Sequence, residues 1–414
     1  MARGILRLSA LMLGLFVSQI FLSAAHAQVS PESAEKYNAG QELYGKRRYQ
    51  EALAAFDESI KLDSNNAQAF RAMGKTYQKL RDFPKALESF QMAVAIKPDY
   101  TPAFYEMGTL QLKLNKHKDA QASMKKVLAI DPEFEGGKAR EVLKVAYLKQ
   151  GTLYHRQKNY KKAAAEYESA TQVDPTDASA FYNLGLAQKS ARNFNTSREA
   201  FQTAVELNPK YAKAHRALGD LNRATKRNSQ AIAAYLKAIS SDPGCKDKGN
   251  INAYMNLAVI YNATKQHAKA ASILQKAAPV APSKKSKVKV YTAWGHARHL
   301  QGQYSRAIES YKQALAIDNR NAEAHYRMAT ALFELKDYNG AIRSAKRALG
   351  NRRYSVPAHV IIADAYEAVK SEGWKEKAIE HYKKGLKDRR YQKYCEDKID
   401  RILNPMGESE DAAE

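Results

Sequence analysis

Glycines set 34 residues apart constrain this chain more than any other feature. Gly40, Gly74 and Gly108 keep that spacing, and after a short insertion Gly151, Gly185 and Gly219 keep it again. Twelve residues beyond each stands a small residue: Ala52, Ala86, Ala120, Ala163, Ser197 and Ala231. Four further on comes a large apolar one: Phe56, Phe90, Met124, Tyr167, Phe201 and Tyr235. Pro98, Pro132, Pro175, Pro209 and Pro243 then close five of the units. Ala258, Gly295, Ala329 and Ala363 continue the first column, and Ala270, Ala307, Ala341 and Ala378 the second, which makes ten units. Between the columns apolar residues recur at helical spacing, as in Ala86, Leu87, Phe90, Ala93 and Val94. Each unit therefore reads as a pair of helices. A lone pair cannot bury its apolar face, so the core must come from stacking one pair on the next. The small residues belong where two helices cross closely, the aromatic fills the adjoining hollow, and the proline ends the second helix.

A 34-residue period carrying Leu-Gly, Tyr, Ala, Phe and Pro in that order resembles the tetratricopeptide repeat. The resemblance covers nearly all of the chain beyond the N-terminal segment. It implies an all-α fold, a right-handed superhelical solenoid of helix hairpins with a concave and a convex face. It also implies a role in holding other macromolecules.

The units divide into 28–132 (units 1–3), 144–243 (units 4–6) and 251–403 (units 7–10), separated by an insertion at 133–143 and a loop at 244–250. Junctions are expected near residues 138 and 247. Ser371 to Trp374 lengthens the last hairpin, and Ala345 stands where the ninth unit should have an aromatic. The acidic stretch 404–414 is expected to be disordered.

Residues 1–27 have the parts of a cleaved export signal. Arg3 and Arg7 precede a largely apolar run from Leu8 to Ala24, and Ala25-His26-Ala27 supplies a small-x-small site. Cleavage after Ala27 predicts a periplasmic or secreted protein, with retention as a membrane anchor as the alternative. It would also take two charges from a net charge of +24. That surplus attracts acidic partners over a distance but says nothing of the fold. Cys245 and Cys395 lie about four repeats apart, and no disulfide between them is expected.

No phosphate-binding glycine loop, zinc-protease helix, nucleophile elbow or CxxC pair occurs in the sequence. His296 and His299 make two potential ligands without a third, so no metal, cofactor or catalytic residue is assigned. The resemblance instead places partner contacts on the first helix of each pair, near the glycine column. The groove candidates are then Arg71, Lys75 and Lys79, followed by Lys149, His155 and Arg156. Tyr182, Asn183, Lys189, Lys213, Arg216 and Arg223 come next, and then Asn252, Asn256 and Asn262. Asn183 with Lys213 and Arg216 looks like part of the carboxylate clamp of some tetratricopeptide domains, although Leu186 stands where a further polar residue belongs. Glu323, Asp364 and Glu367 make the last units more acidic. The function expected from all this is a non-catalytic interaction scaffold of the bacterial envelope, binding proteins with acidic segments in a basic groove. The alternative is a binding module for an anionic cell-wall or exopolysaccharide polymer. Export would remove the chain from the cytoplasm, so nucleic acid is not expected as its ligand. Oligomeric state is left open.

Overall fold

A computed structural model describes residues 29–404. The expected signal at 1–27 and the acidic residues after Asn404 lie outside the described residues. Among the described residues there are twenty-one α-helices and no strand. They fall into two compact units that meet in sequence at Arg192 and Asn193.

In the first unit α1 (Pro31–Gly45) pairs with α2 (Tyr49–Leu62), α3 (Ala67–Lys79) with α4 (Phe83–Ile96), and α5 (Thr101–Lys113) with α6 (His117–Ile130). A longer α7 (Phe134–Arg156) pairs with α8 (Tyr160–Val173), and α9 (Ala178–Ser190) follows. The second unit starts with α10 (Phe194–Leu207). Then α11 (Ala212–Ala224) pairs with α12 (Asn228–Ser241), α13 (Ile251–Ala263) with α14 (His267–Val280), and α15 (Lys284–His299) with α16 (Tyr304–Ile317). The last pairs are α17 (Ala322–Glu334) with α18 (Tyr338–Ala348) and α19 (Arg352–Val369) with α20 (Trp374–Gly385), and α21 (Gln392–Leu403) packs on α20. Within each unit the second helix of a pair also packs on the first helix of the next, so the core runs between pairs as a chain of clusters.

The glycine column works by close approach. A Cβ on Gly40 would sit 2.5 Å from the Phe56 ring, and one on Gly74 2.6 Å from Phe90. At Gly151 and Gly219 the corresponding distances to Tyr167 and Tyr235 are 2.7 and 2.6 Å. These rings are almost wholly buried. Where the seventh unit has Ala258 in the column, the residue opposite shrinks to Leu274. Side-chain caps then set several helix starts. Asn66 accepts from Ala69 N at 3.1 Å, Asp82 from Lys85 N at 3.2 Å and Asp337 from Gly340 N at 2.8 Å.

The insertion at 133–143 joins the helix that follows it. Glu135, Gly136 and Gly137 turn through left-handed conformations, and from Lys138 the chain runs on into α7, burying Ala139 and Leu143. The loop at 244–250 is pinned by Asn250, whose amide donates to the carbonyls of Ala238 (3.0 Å) and Asp242 (2.9 Å). Cys245 and Cys395 are both buried, unpaired thiols, and burial pushes each up to about 11.

Candidate functional site

The first helices of successive pairs lie side by side: α1 with α3 and α5 with α7 in the first unit, and α11, α13, α15 and α17 in the second. Residues three before, one after and four after the glycine column share a face of such a helix.

In the first unit this face carries several of the expected cations. Arg71 is already engaged, because its guanidinium grips Glu106 through two bonds of 2.9 and 2.6 Å. Lys75 stands 3.9 Å from the same carboxylate. Lys79, Lys149 and Arg156 are exposed on helix surfaces, and Tyr182, Asn183 and Lys189 are partly buried on α9. His155 meets Tyr160 edge-on at 5.2 Å.

In the second unit Lys213 and Arg223 are exposed, while Arg216 is committed to Asp247 at 2.5 Å. Burial opposes ionisation of Asp247, but Arg216 and the Gly249 N–H outweigh it, so the carboxyl sits below its ordinary range. Asn256 donates to Asp220 at 2.9 Å, and the same oxygen accepts from Tyr235 at 2.6 Å. Arg216 and Asn256 therefore serve the scaffold as well as facing outward.

The feature that sequence reasoning missed lies further along. A cavity of about 300 Å³ opens between α13, α15 and α17. Met255, Ala258, Val259, Leu274 and Ala293 make its apolar part, and Asn262, Lys289, Thr292, His296, Glu323 and Arg327 its polar part. Val259 is 53% exposed at the rim of this cavity, beside the apolar Met255 and Ala258. Arg327 leans on Glu323 at 2.9 Å. Burial, with Arg327 and His299 nearby, holds His296 down to about 4, so the ring is neutral at pH 7 and offers both a donor and an acceptor. Tyr311, packed against Gly295 of α15, has a buried hydroxyl with no partner among the described residues. The equivalent hydroxyls of Tyr167, Tyr235 and Tyr382 all find one, at Thr152, Asp220 and Asp364. The signal was available in the sequence: Met255 and Val259 are apolar at positions where other units put Arg71, Lys75, Arg216 and Asp220.

The last units are closed differently. Tyr382 and Tyr394 donate to Asp364 at 2.6 and 2.8 Å, and Lys398 reaches Glu367 at 2.8 Å. Asp364 and Glu367, two of the three acids expected to line the groove, are thus occupied from α20 and α21, while Glu323 pairs with Arg327 on its own helix. Among the described residues no cluster of three metal-ligating side chains occurs, and no helix is long and apolar enough to cross a membrane.

Three repeat families match the sequence. A profile described as TPR repeat matches 151–190 and 295–336, and one described as tetratricopeptide repeat matches 37–101 and 182–244. A second tetratricopeptide-repeat profile matches 101–134, 251–283 and 322–353. Together they cover well over half of the chain. No curated protein matches it. Among solved structures, yeast Tom70 is 14% identical over 90% of this chain and 95% of that one, with a TM-score of 0.38. PilF of Pseudomonas aeruginosa is 17% identical over 53% of this chain and 97% of its own, with a TM-score of 0.42. The C-terminal part of a TPR repeat-containing protein from Cytophaga hutchinsonii is 18% identical over 61% and 98%, with a TM-score of 0.44.

Proposed function

The chain belongs to the tetratricopeptide-repeat family, and we propose that it is a non-catalytic scaffold of ten such repeats holding partner proteins in the bacterial cell envelope. Repeats of this kind serve protein–protein interaction. The observation that carries the reading here is the cavity between α13, α15 and α17, where apolar Met255 and Val259 adjoin Asn262, Lys289, His296 and Arg327. An apolar wall with a few convergent polar groups suits one anchoring side chain and the peptide backbone beside it. In the first unit Lys79, Lys149, Arg156 and Lys189, all on first helices, support attraction of acidic partner segments. Lys213 and Arg223 add to it in the second.

The envelope setting takes its support from residues 1–27. The mature chain should begin at Gln28, and intact mass of the protein from a periplasmic extract tests that directly. An anionic cell-wall or exopolysaccharide polymer is the second reading, favoured by the net charge of +24. It would show itself by binding that weakens steeply with salt.

The main test is photo-crosslinking in intact cells from Val259 and, as a comparison, from Lys276 on α14. Distinct protein adducts from Val259 are expected. No protein adduct from Val259, or the same adducts at equal yield from Lys276, would overturn the assignment.

A further inference from the structure

Each hairpin turn holds a residue in the left-handed region seven places after the small-residue column. In the first unit these are Arg47, Arg81, Asn115, Lys158 and Arg192, and in the second Lys226, Lys265, Gly302, Lys336 and Lys370. Glycine enters this region freely and asparagine with less strain than most residues. Only Gly302 and Asn115 follow that preference. The other eight are lysine or arginine, every one is exposed, and none makes a side-chain hydrogen bond or ion pair among the described residues.

Two further observations set these cations apart from a generally basic surface. At three turns the next residue is cationic and occupies the N-cap of the second helix without capping it: Arg48 after Arg47, Lys116 after Asn115 and Arg227 after Lys226. Asp82, Asn159 and Asp337 do cap at the same place. A cation there also faces the positive end of that helix. The opposite loops, between one pair and the next, carry acids with local work to do. Asp63, Asp131, Asp174 and Asp318 each accept a backbone N–H two residues on. Local backbone chemistry therefore explains the acids and opposes the cations.

Because successive first helices lie side by side, the hairpin turns of one unit share an edge, with neighbours about 10 Å apart. A notch of about 490 Å³ lies between two of them, lined by Gln157, Lys158, Asn159, Tyr160, Lys161 and Ala191. We propose that this edge, in each unit, docks an extended acidic polypeptide segment of a partner protein. A chain in the polyproline II form advances about 3.1 Å per residue with about three residues per turn, so a carboxylate at every third position faces successive turns. The Gln157 amide in the notch offers the donor and acceptor that a peptide backbone needs. Stacked hairpins rotate slightly from one to the next, and a flexible chain can follow that path where a flat bilayer cannot. This surface is separate from the cavity at Val259.

Glycine substitution tests the proposal cleanly, because it removes the charge while relieving the backbone. The quadruple variants R47G/R81G/K158G/R192G and K226G/K265G/K336G/K370G are compared with wild type and with K126Q/K237Q/K276Q/K312Q, which removes four exposed charges from second helices. Fluorescence anisotropy with a labelled poly-L-glutamate peptide reads binding, and thermal melts read folding. Each glycine variant should melt no lower than wild type and bind about half as many peptides, and the two sets combined should bind about tenfold more weakly or worse, as expected for exposed ion pairs lost. The control should change little, and Val259→Asp should bind the peptide as wild type does. Unchanged binding in the glycine variants, or an equal loss in the control, would overturn the proposal. So would preferential binding of phosphatidylglycerol vesicles or polygalacturonate through the same residues. Asparagine at the same eight positions provides a second set should a glycine variant melt early.

Discussion

At Gly74 an added Cβ would meet the Phe90 ring at 2.6 Å, inside a helix pair with no free volume. Alanine is the better helix former, yet the clash should win, so Gly74→Ala is expected to cost about 1–3 kcal/mol. Adding Phe90→Leu should recover part of that loss, because the seventh unit already places Leu274 opposite Ala258. Urea unfolding of the two single variants and the double variant measures the coupling. The columns themselves were legible, since small and large residues recur at a fixed period. The hydroxyl pairings were only half legible. Thr152, Asp220, His296 and Asp364 all follow the small-residue column and face a tyrosine column, but nothing in the spacing says that Tyr311 alone lacks a partner.

Two helices at the C-terminal end meet through a pair of histidines. His359 Nδ1 and His381 Nδ1 lie 2.8 Å apart, joining α19 to α20, so one proton can bridge them but two cannot fit. Burial first, and His359 second, hold His381 down to about 4, while Lys384, Lys346 and Lys387 add to the positive surroundings and Glu380 opposes them. The folded pair binds fewer protons than the unfolded chain. Its contribution is complete above about 6.5 and is lost as pH falls towards about 4. Melting of the wild type should fall over that window, on the order of 1 kcal/mol, and His381→Gln should fall less. Hairpin turns give a second prediction at this scale. Lys336→Gly relieves a φ of 61° and should stabilise by about 1 kcal/mol, measured by thermal melting. That strain was invisible in sequence, because a left-handed turn is normally announced by the glycine these turns lack. The capping role of α21 was equally hidden, since it carries no column residue. Removing residues 392–403 should raise hydrogen exchange in α19 and α20, by uncovering Asp364, Glu367 and the space that Cys395 fills against Gly385.

Over the whole chain, periodicity was enough to read an array of helix pairs from end to end of the described residues. It was not enough to place the division between the compact units. That falls between Arg192 and Asn193, within the fifth hairpin, where Gly185, Ser197 and Phe201 keep the register unbroken. The insertions at 138 and 247 extend a helix and fold into a pinned loop. Partner contacts were sought in cations, and several of those are tied to Glu106 and Asp247. The cavity was overlooked because apolar groove residues resemble core in a one-dimensional pattern. The central claim, that this chain holds partner proteins at that cavity, is most directly tested by Val259→Asp. Val259 is 53% exposed, so the new carboxylate stays in solvent and the core is left intact. Affinity capture from envelope extract should recover partner proteins with the wild type and lose them with the variant, at an unchanged melting temperature. Undiminished capture of the same proteins by Val259→Asp would contradict the account.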